Sequence, residues 1–232
     1  MLFDIFFISY QEPNADSNWE LLRQRFPYAR RLHGVTGIHR AHQLAAKTVA
    51  TDYFWVIDGD STIVDEFDFT PPYSIMDQYE RDKIQNVVYV YRARNPVNNL
   101  SYGYGGVKLL PKQATMSMSM GNIDMTTSIS EHFCPVDHVA SITNFNTDPF
   151  NSWKSAFREC VKLSSKAIGK QVDTDTENRL EVWCTQGADS DVLRGAQAGR
   201  EYGSANRGNT DALKLINDFN WLKKYYEHQM AY

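Results

Sequence analysis

The segment that decides the fold is Tyr53-Phe54-Trp55-Val56-Ile57-Asp58-Gly59-Asp60. It begins with large apolar residues, which is typical of a strand buried on both faces of a sheet. Asp58 and Asp60 follow directly, so two carboxylates are predicted at the end of a central strand. Neighbouring anions at such a position cost free energy unless a cation meets them. Carboxylates suit Mg²⁺ or Mn²⁺ that also holds a diphosphate; a plain polar turn at the strand end is the alternative interpretation.

The residues before this segment alternate between strand and helix patterns. Residues 2–9 form an apolar run of strand length, which predicts a first strand. We do not expect a signal peptide here, because the run lacks the basic residues and the cleavage site of one. Apolar residues at helical spacing predict helices at 19–26 and 38–49, and a short strand is predicted near 29–32. This alternation predicts an α/β domain with a parallel sheet, whose ligands gather at the carboxyl ends of the strands.

The second half of the chain is predicted to be mostly helical. Residues 87–93 predict one more strand, and the alternating methionines and serines at 116–120 indicate a mobile segment or an edge strand. Helices are predicted over 151–170 and 211–228, and a glycine-rich stretch, 187–208, lies between them.

Composition restricts the classes of protein. A chain of 232 residues with 42% hydrophobic residues can form one sizeable core, so we expect a single domain over 1–232. The net charge of −4, from 24 basic and 28 acidic side chains, disfavours nucleic-acid binding by bulk charge. Binding of a nucleic acid would require a local basic patch. No apolar run approaches the roughly 20 residues of a membrane span. Three cysteines without a C-x-x-C pair favour neither a zinc site nor a disulfide framework, so a reducing, cytoplasmic setting is expected.

Three short motifs, taken in their order and spacing, resemble those of the GT-A fold nucleotide-sugar glycosyltransferases. They are a strand end at Phe6–Glu12, a helix start with Gly37-Ile38-His39-Arg40-Ala41, and the run from Ala46 through Tyr53 to Asp60. The resemblance covers roughly residues 1–110. It implies a mostly parallel, Rossmann-like central sheet flanked by helices, with a helical C-terminal part. It also implies a nucleotide-sugar-binding half at about 1–110 and an acceptor-binding half at about 111–232.

The resemblance implies a role for the residues at the strand ends. Asp58 and Asp60 would bind Mn²⁺ or Mg²⁺ and the diphosphate of a UDP-sugar, with Asp60 the firmer metal ligand. Tyr10 and Glu12 would contact the base and the ribose.

The other donor-site candidates each have a simpler alternative. His39 or Arg40 would approach the nucleotide; His39 is alternatively a surface residue of its helix, and the bidentate, always charged guanidinium makes Arg40 the better phosphate partner. Gly105 and Gly106 resemble the family's loop beneath the donor sugar, or form an ordinary hairpin turn. His228 is a candidate third metal ligand, although a lone histidine is more often a surface or core residue.

An inverting member of the family also needs a carboxylate base that takes the proton of the acceptor hydroxyl. Asp148 precedes a predicted helix and fits that position, although Thr147 stands where the family has the first acid of a pair. The alternative is that Asp148 caps the helix. Asp124 and Asp137 are further candidates for the base.

Basic residues recur every four positions along the helix predicted over 151–170. They are Lys154, Arg158, Lys162, Lys166 and Lys170. Such a row forms a slanted ridge, and its first three members are candidates for binding the phosphates of an acceptor strand. A solvated helix face is the alternative.

The sequence Phe145-Asn146-Thr147-Asp148-Pro149-Phe150, with the compact size, also resembles glycosyltransferases encoded by tailed bacteriophages. Some of these act on hydroxymethylated pyrimidines of phage DNA. This resemblance implies a hexosyl- or pentosyltransferase that moves a sugar from a UDP-sugar to 5-hydroxymethylpyrimidine in double-stranded DNA, in the cytoplasm of the host. The alternatives are a glycan or lipid-linked acceptor, and a non-catalytic module that binds nucleotide-sugars.

Overall fold

The computed structural model describes residues 3–77, 86–103, 105–119, 122–166 and 173–231. Its contacts divide the chain into two compact units. Unit 1 comprises residues 1–95, 101–121 and 125–144, and unit 2 comprises residues 96–100, 122–124 and 145–232. That the two units act as one domain stays a prediction.

Unit 1 is built on one mixed sheet. Its strands are β1 (Asp4–Ser9), β2 (Arg30–His33), β3 (Tyr53–Asp58), β4 (Ser61–Ile63), β5 (Val88–Arg94), β6 (Ser101–Tyr102), β7 (Val107–Pro111) and β8 (Phe133–Thr143). The order is β2-β1-β3-β7-β5-β8-β4, and β6 pairs with β5. Strand β1 runs parallel to β2 and β3, and β5 runs parallel to β8. The remaining pairs, which include β3 with β7, are antiparallel.

Helices cover both faces of this sheet. They are α1 (Ala15–Arg25), α2 (Ile38–Thr48), α3 (Tyr73–Met76), α4 (Lys112–Ser117) and α5 (Met125–Ile129). Strand β3 is buried on both faces because Trp55 joins the cluster that contains Leu22 of α1, while Phe54 joins the cluster that contains Ala45 of α2. The predicted α/β class, with a central sheet between helices, is confirmed.

Two parts of unit 1 differ from the expectation. The methionine–serine segment, predicted as a mobile segment or an edge strand, begins as a helix. Met116 lies in α4, where Thr115 donates a hydrogen bond to the Pro111 carbonyl. Met118 is buried, and Met120 lies outside the described residues. Strand β8 was not predicted, because most of its side chains are exposed or half-buried and Pro135 interrupts the pattern.

Unit 2 is mostly helical in its described residues, as predicted for the C-terminal part. It contains α6 (Pro149–Ser165), α7 (Asp173–Thr185), α8 (Ser190–Ala205), α9 (Thr210–Lys214), a 3-10 turn (Leu215–Asn217) and α10 (Phe219–Met230). Helix α6 is the centre: Cys160 packs with α7 and α8, and Phe157 packs with α10. No helix in the described ranges is both long enough and apolar enough to cross a membrane.

Two predicted helices of unit 2 have other boundaries. Helix α6 stops at Ser165 because Lys166 adopts a left-handed conformation (φ 56°), and residues 167–170 lie outside the described residues. The helix predicted over 211–228 is interrupted before Asp218, whose carboxylate accepts hydrogen bonds from the backbone of Asn220 and Trp221 and so caps α10.

The glycine-rich stretch, predicted only as a break between helices, contains helix α8. Gly195, Gly199 and Gly203 lie four residues apart and therefore share one face of α8. A Cβ atom added at Gly199 would lie 2.9 Å from the Cα of Phe157, so the backbones of α8 and α6 are in direct contact. Close packing of the two backbones outweighs the low helix propensity of glycine. The prediction of a break between helices considered only this propensity and was wrong.

We expect Gly199→Ala to lower the free energy of unfolding by about 1–3 kcal/mol, because the added methyl group overpacks the α6–α8 contact. At an exposed helical position without such a contact, the same substitution would stabilise the helix by roughly 0.5–1 kcal/mol. Ser204→Ala, on the exposed part of α8, is the matched control and should change little. Chemical denaturation measures both values; a stabilised Gly199→Ala variant would contradict the close contact.

Candidate active site

The carboxyl ends of β1 and β3 lie side by side in unit 1. Their register pairs Ile8 with Asp58, so the residues that follow each strand emerge at the same edge of the sheet. The start of β7 lies next to them, because the backbone NH of Asp58 donates to the carbonyl of Gly106 (3.0 Å). The structure therefore brings Tyr10, the D-x-D segment and the Gly105–Gly106 turn to one place, which is where open α/β sheets bind ligands.

Gly59, in the middle of the D-x-D segment, joins the two strand ends. A Cβ atom at this position would lie 2.7 Å from the Cβ of Ser9 and 2.8 Å from Oε2 of Glu12, so a larger residue does not fit. The Gly59 carbonyl accepts a hydrogen bond from Asn18 (3.0 Å). Oε2 of Glu12 in turn accepts from the backbone NH of Tyr10 (2.7 Å), which folds the loop after β1 against the D-x-D segment.

A buried lysine meets the first carboxylate of the D-x-D segment. Nζ of Lys108 lies 2.8 Å from both carboxylate oxygens of Asp58 and also donates to the Gly105 carbonyl. The Lys108 side chain is 3% exposed, whereas that of Asp58 is 34% exposed. The ammonium therefore has a carboxylate and a backbone carbonyl as acceptors, which a buried cation requires. Lys108 was not predicted as a site residue, although a single lysine inside the apolar run Val107–Leu110 is a signal for a buried charge.

Asp58 and Asp60 as ligands of a metal ion stay a prediction. Both oxygens of Asp58 accept from Lys108, so a metal ion at Asp58 would have to share this carboxylate with an ammonium group. Asp60 is half-buried, and its carboxylate accepts from the Ser61 hydroxyl at 3.4 Å. The described residues contain no group of three or more histidine, cysteine, aspartate or glutamate side chains that could hold a metal ion. Any Mn²⁺ or Mg²⁺ would therefore need further oxygen ligands from the donor; its presence stays a prediction.

Helix α2 borders the Lys108 side of the site. Nε2 of His39 hydrogen-bonds to the Ser128 hydroxyl (3.1 Å), and Arg40 is exposed. His42 is buried, and its Nδ1 lies 2.8 Å from the Ile38 carbonyl; a carbonyl only accepts, so Nδ1 carries the proton. Burial, the positive charge of Lys108 and the proximity of His39 lower the pKa of His42 to about 3. His42 is therefore neutral in the folded protein.

We expect His42 to make the protein less stable in mild acid. Its pKa is about 3 when folded and 6.5 ordinarily, so only the unfolded state binds a proton between these values. The free energy of unfolding does not depend on His42 above pH 6.5. Below this pH it decreases by up to about 1.4 kcal/mol per pH unit, because protonation of His42 favours the unfolded state. Chemical denaturation between pH 7.5 and about 5 should show this slope in the wild type and a shallower one in His42→Gln. Identical slopes would show that His42 does not titrate between the two states.

The structure shows Asp148, in unit 2, as the N-cap of α6. One carboxylate oxygen accepts from the backbone NH of Asn151 (2.9 Å), and Pro149 follows as the first residue of the helix. Burial alone would raise the pKa of Asp148, but hydrogen bonds from Asn151 and Thr147 and the charge of Lys154 lower it overall. A lowered pKa makes the carboxylate a weaker base. The capping alternative is thus observed, and the catalytic role stays a prediction.

The side chains of the predicted basic ridge make contacts within unit 2. Lys154 Nζ donates to Asn151 (2.6 Å), Arg158 Nε donates to the Ile216 carbonyl (2.8 Å), and Lys162 Nζ pairs with Glu159 (3.0 Å). Each of the three is half-buried, so they do not form a simple solvated face. The other two carboxylates considered as bases are in ion pairs, Asp124 with Lys162 (3.8 Å) and Asp137 with Arg92 (3.1 Å). His228 is exposed on α10.

The two roles of Asp148 are separable by substitution. Asp148→Ala should lower the free energy of unfolding by about 0.5–2 kcal/mol because α6 loses its cap, whereas asparagine caps about as well as aspartate. Asp148→Asn should therefore keep the stability of the wild type, as thermal unfolding would show. Since the amide cannot accept the proton of a hydroxyl group, full sugar transfer by Asp148→Asn would exclude Asp148 as the base.

Comparisons with known proteins gave similar structures but no family. No family model and no curated protein matches the chain. The chain is similar to the solved structure of S. aureus TarS 1-349 in complex with UDP-GlcNAc, with 9% identity, a TM-score of 0.37 and coverage of 97% of this chain and 92% of that one. It is also similar to a glycosyltransferase involved in glycosylation of the major capsid of PBCV-1, with 12% identity, a TM-score of 0.35 and coverage of 60% and 93%. HddC from Yersinia pseudotuberculosis matches with 12% identity, a TM-score of 0.35 and coverage of 59% and 70%. Since these identities and TM-scores are low, we base the proposed function on the geometry of the site.

Proposed function

We propose that the protein is a glycosyltransferase that takes its sugar from a nucleotide-sugar, with a UDP-sugar as the donor. The observation that carries this proposal is the convergence of Tyr10 and Glu12 on the D-x-D segment through Gly59. A base-binding loop and a phosphate-binding turn of a nucleotide-sugar site require this proximity.

The donor would lie along the carboxyl edge of β1, β3 and β7. Tyr10 and Glu12 would contact the base and ribose, since a carboxylate accepts hydrogen bonds from ribose hydroxyls. Asp60 would hold Mn²⁺ or Mg²⁺ together with the diphosphate oxygens, and such an ion neutralises charge on the departing diphosphate. The sugar would lie over the turn at Gly105, where a small residue allows a ligand to approach the backbone. The space beside Gly106 is filled by the side chains of Ser61 and Ser141.

Sugar transfer breaks the bond between the anomeric carbon and the diphosphate oxygen and forms a bond to the acceptor oxygen. In direct displacement the acceptor proton passes to a carboxylate, and Asp148 is the candidate for this step. As acceptor we propose 5-hydroxymethylpyrimidine in double-stranded DNA, in the cytoplasm. The proposal depends on Lys154, Arg158 and Lys162, whose present contacts DNA phosphates would have to replace.

The test is a nucleotide-release assay over a panel of UDP-sugars with Mn²⁺ or Mg²⁺. We expect release of UDP by the wild type and at least about a 100-fold loss in Asp60→Asn, which is the size of loss that follows removal of an electrostatic stabiliser. Asp65→Asn is the matched control, since Asp65 is an exposed carboxylate of the same unit. If no donor releases UDP, or if both variants behave alike, the proposal is wrong.

The acceptor is tested in the same assay by adding a hydroxymethylated duplex, an unmodified duplex of the same sequence, or a glycan. Stimulation by the modified duplex alone would support DNA as the acceptor. The stimulation should fall steeply with added salt, since each phosphate contact releases counterions. Stimulation by the glycan alone would support the alternative acceptor.

A second candidate function is binding of a nucleotide-sugar without catalysis. The lowered pKa of Asp148 and its role as a helix cap favour it, because both make this carboxylate a poor base. Calorimetric binding of a UDP-sugar without UDP release under any acceptor condition would support this candidate.

A further inference from the structure

We propose that Lys108 is a resident cation of the donor site, which holds Asp58 in an ion pair so that a divalent ion binds through Asp60 and not through Asp58. This inference rests on the proposed function and assigns a positioning role to a residue that is not part of the D-x-D segment. The two carboxylates then have different roles: Asp58 forms the ion pair with Lys108, and Asp60 binds the metal ion together with the diphosphate.

The first argument is the geometry of the ion pair. Lys108 lies on β7 opposite Val56 of β3, and its ammonium reaches both oxygens of Asp58 at 2.8 Å. A metal ion at Asp58 would have to share the carboxylate with this ammonium, and the two cations would repel each other at close range. Displacement of the ammonium would instead leave a charge without its counter-ion on a side chain only 3% exposed, which is strongly unfavourable.

The second argument is the charge of the site. A nucleotide-sugar diphosphate carries about two negative charges, which would add to those of Asp58 and Asp60 at the same strand end. A divalent ion offsets only about half of that total. The positive charge of Lys108 offsets the negative charge of Asp58, so the site repels the diphosphate of the donor less strongly.

The third argument is the surroundings of Lys108. His42 of α2 acts electrostatically on Lys108 but is neutral, so it adds no second cation. The Gly105 carbonyl accepts from Nζ, and a Cβ atom at Gly105 would lie 3.8 Å from both Nζ and Oδ2 of Asp58. The ion pair therefore also fixes the turn over which the donor sugar is proposed to lie.

The experiment is calorimetric titration with UDP in chelator and in excess Mn²⁺. In the wild type we expect Mn²⁺ to tighten UDP binding by about tenfold or more, within the usual range for coupled ligands. Asp60→Asn should lose this gain, whereas the double variant Asp58→Asn/Lys108→Met, which leaves no buried ammonium unpaired, should keep it within about threefold. Lys108→Met should weaken UDP binding in chelator by about tenfold and should show a larger gain from Mn²⁺, because the ammonium no longer competes with the metal ion for the Asp58 carboxylate.

Two controls separate the role of Lys108 from a loss of folding. Lys112→Met removes a lysine of the same unit whose Nζ donates to the Val49 carbonyl and not to a carboxylate, and it should bind UDP like the wild type. The double variant Asp58→Asn/Lys108→Met leaves no unpaired charge, so it should unfold at a higher temperature than Lys108→Met. It should also lose the additional Mn²⁺ gain of that single variant.

The outcomes distinguish the two levels of the proposal. If Asp58→Asn/Lys108→Met loses the Mn²⁺ gain as fully as Asp60→Asn, or if Lys108→Met leaves UDP binding unchanged in both conditions, the role given to Lys108 is wrong. Equal wild-type binding in chelator and in Mn²⁺ would overturn the assignment of an ion to Asp60. A wild type that binds no UDP in either condition would refute the proposed function itself, and the role of Lys108 with it.

Discussion

A lysine in the middle of a sheet must have an anion within reach, and this requirement organises the candidate site. Strand β7 lies between β3 and β5 in the sheet, and the side chain of Lys108 on this strand is almost completely buried. The antiparallel register with β3 places the end of that strand beside the ammonium, and Asp58 is the last residue of β3. Removing one partner of such a pair costs several kcal/mol. The ion pair thus couples the position of the D-x-D segment to the central sheet.

The loop after β1 is held to the same point by a steric constraint. Gly59 allows Ser9 and Glu12 to approach the D-x-D segment more closely than a side chain at position 59 would permit. Asn18 of α1 donates a hydrogen bond to the Gly59 carbonyl. The two strand ends consequently form one rigid surface, in which a charged pair fixes one side and a backbone contact fixes the other. Such pre-organisation is what a site needs to orient a flexible donor.

The fold of unit 1 was predictable where strands are apolar and bounded by polar residues. The run at residues 2–9 and the segment Tyr53–Ile57 each predict a strand that the structure contains, and the alternation with helices predicts their parallel pairing. Helix α8 and strand β8 were not predictable in this way, because tertiary contacts stabilise them against their local sequence. The glycines of α8 look like loop residues until α6 is known to pack against them. Lys108 was missed for the same reason, because its counter-ion is 50 residues away in the sequence.

The D-x-D segment places two carboxylates at one strand end, and its sequence does not show which cation meets them. Two neighbouring carboxylates do need positive charge, and at Asp58 the chain supplies it. Asp148 follows the same rule, since hydrogen bonds from Thr147 and Asn151 stabilise its charged form and lower its pKa. A carboxylate that is already satisfied by its own chain is less available to a metal ion or a proton. The chemistry of the proposed transfer therefore depends on whether a bound donor and acceptor can compete with these internal partners, and the Lys108–Asp58 pair is where that competition is most direct.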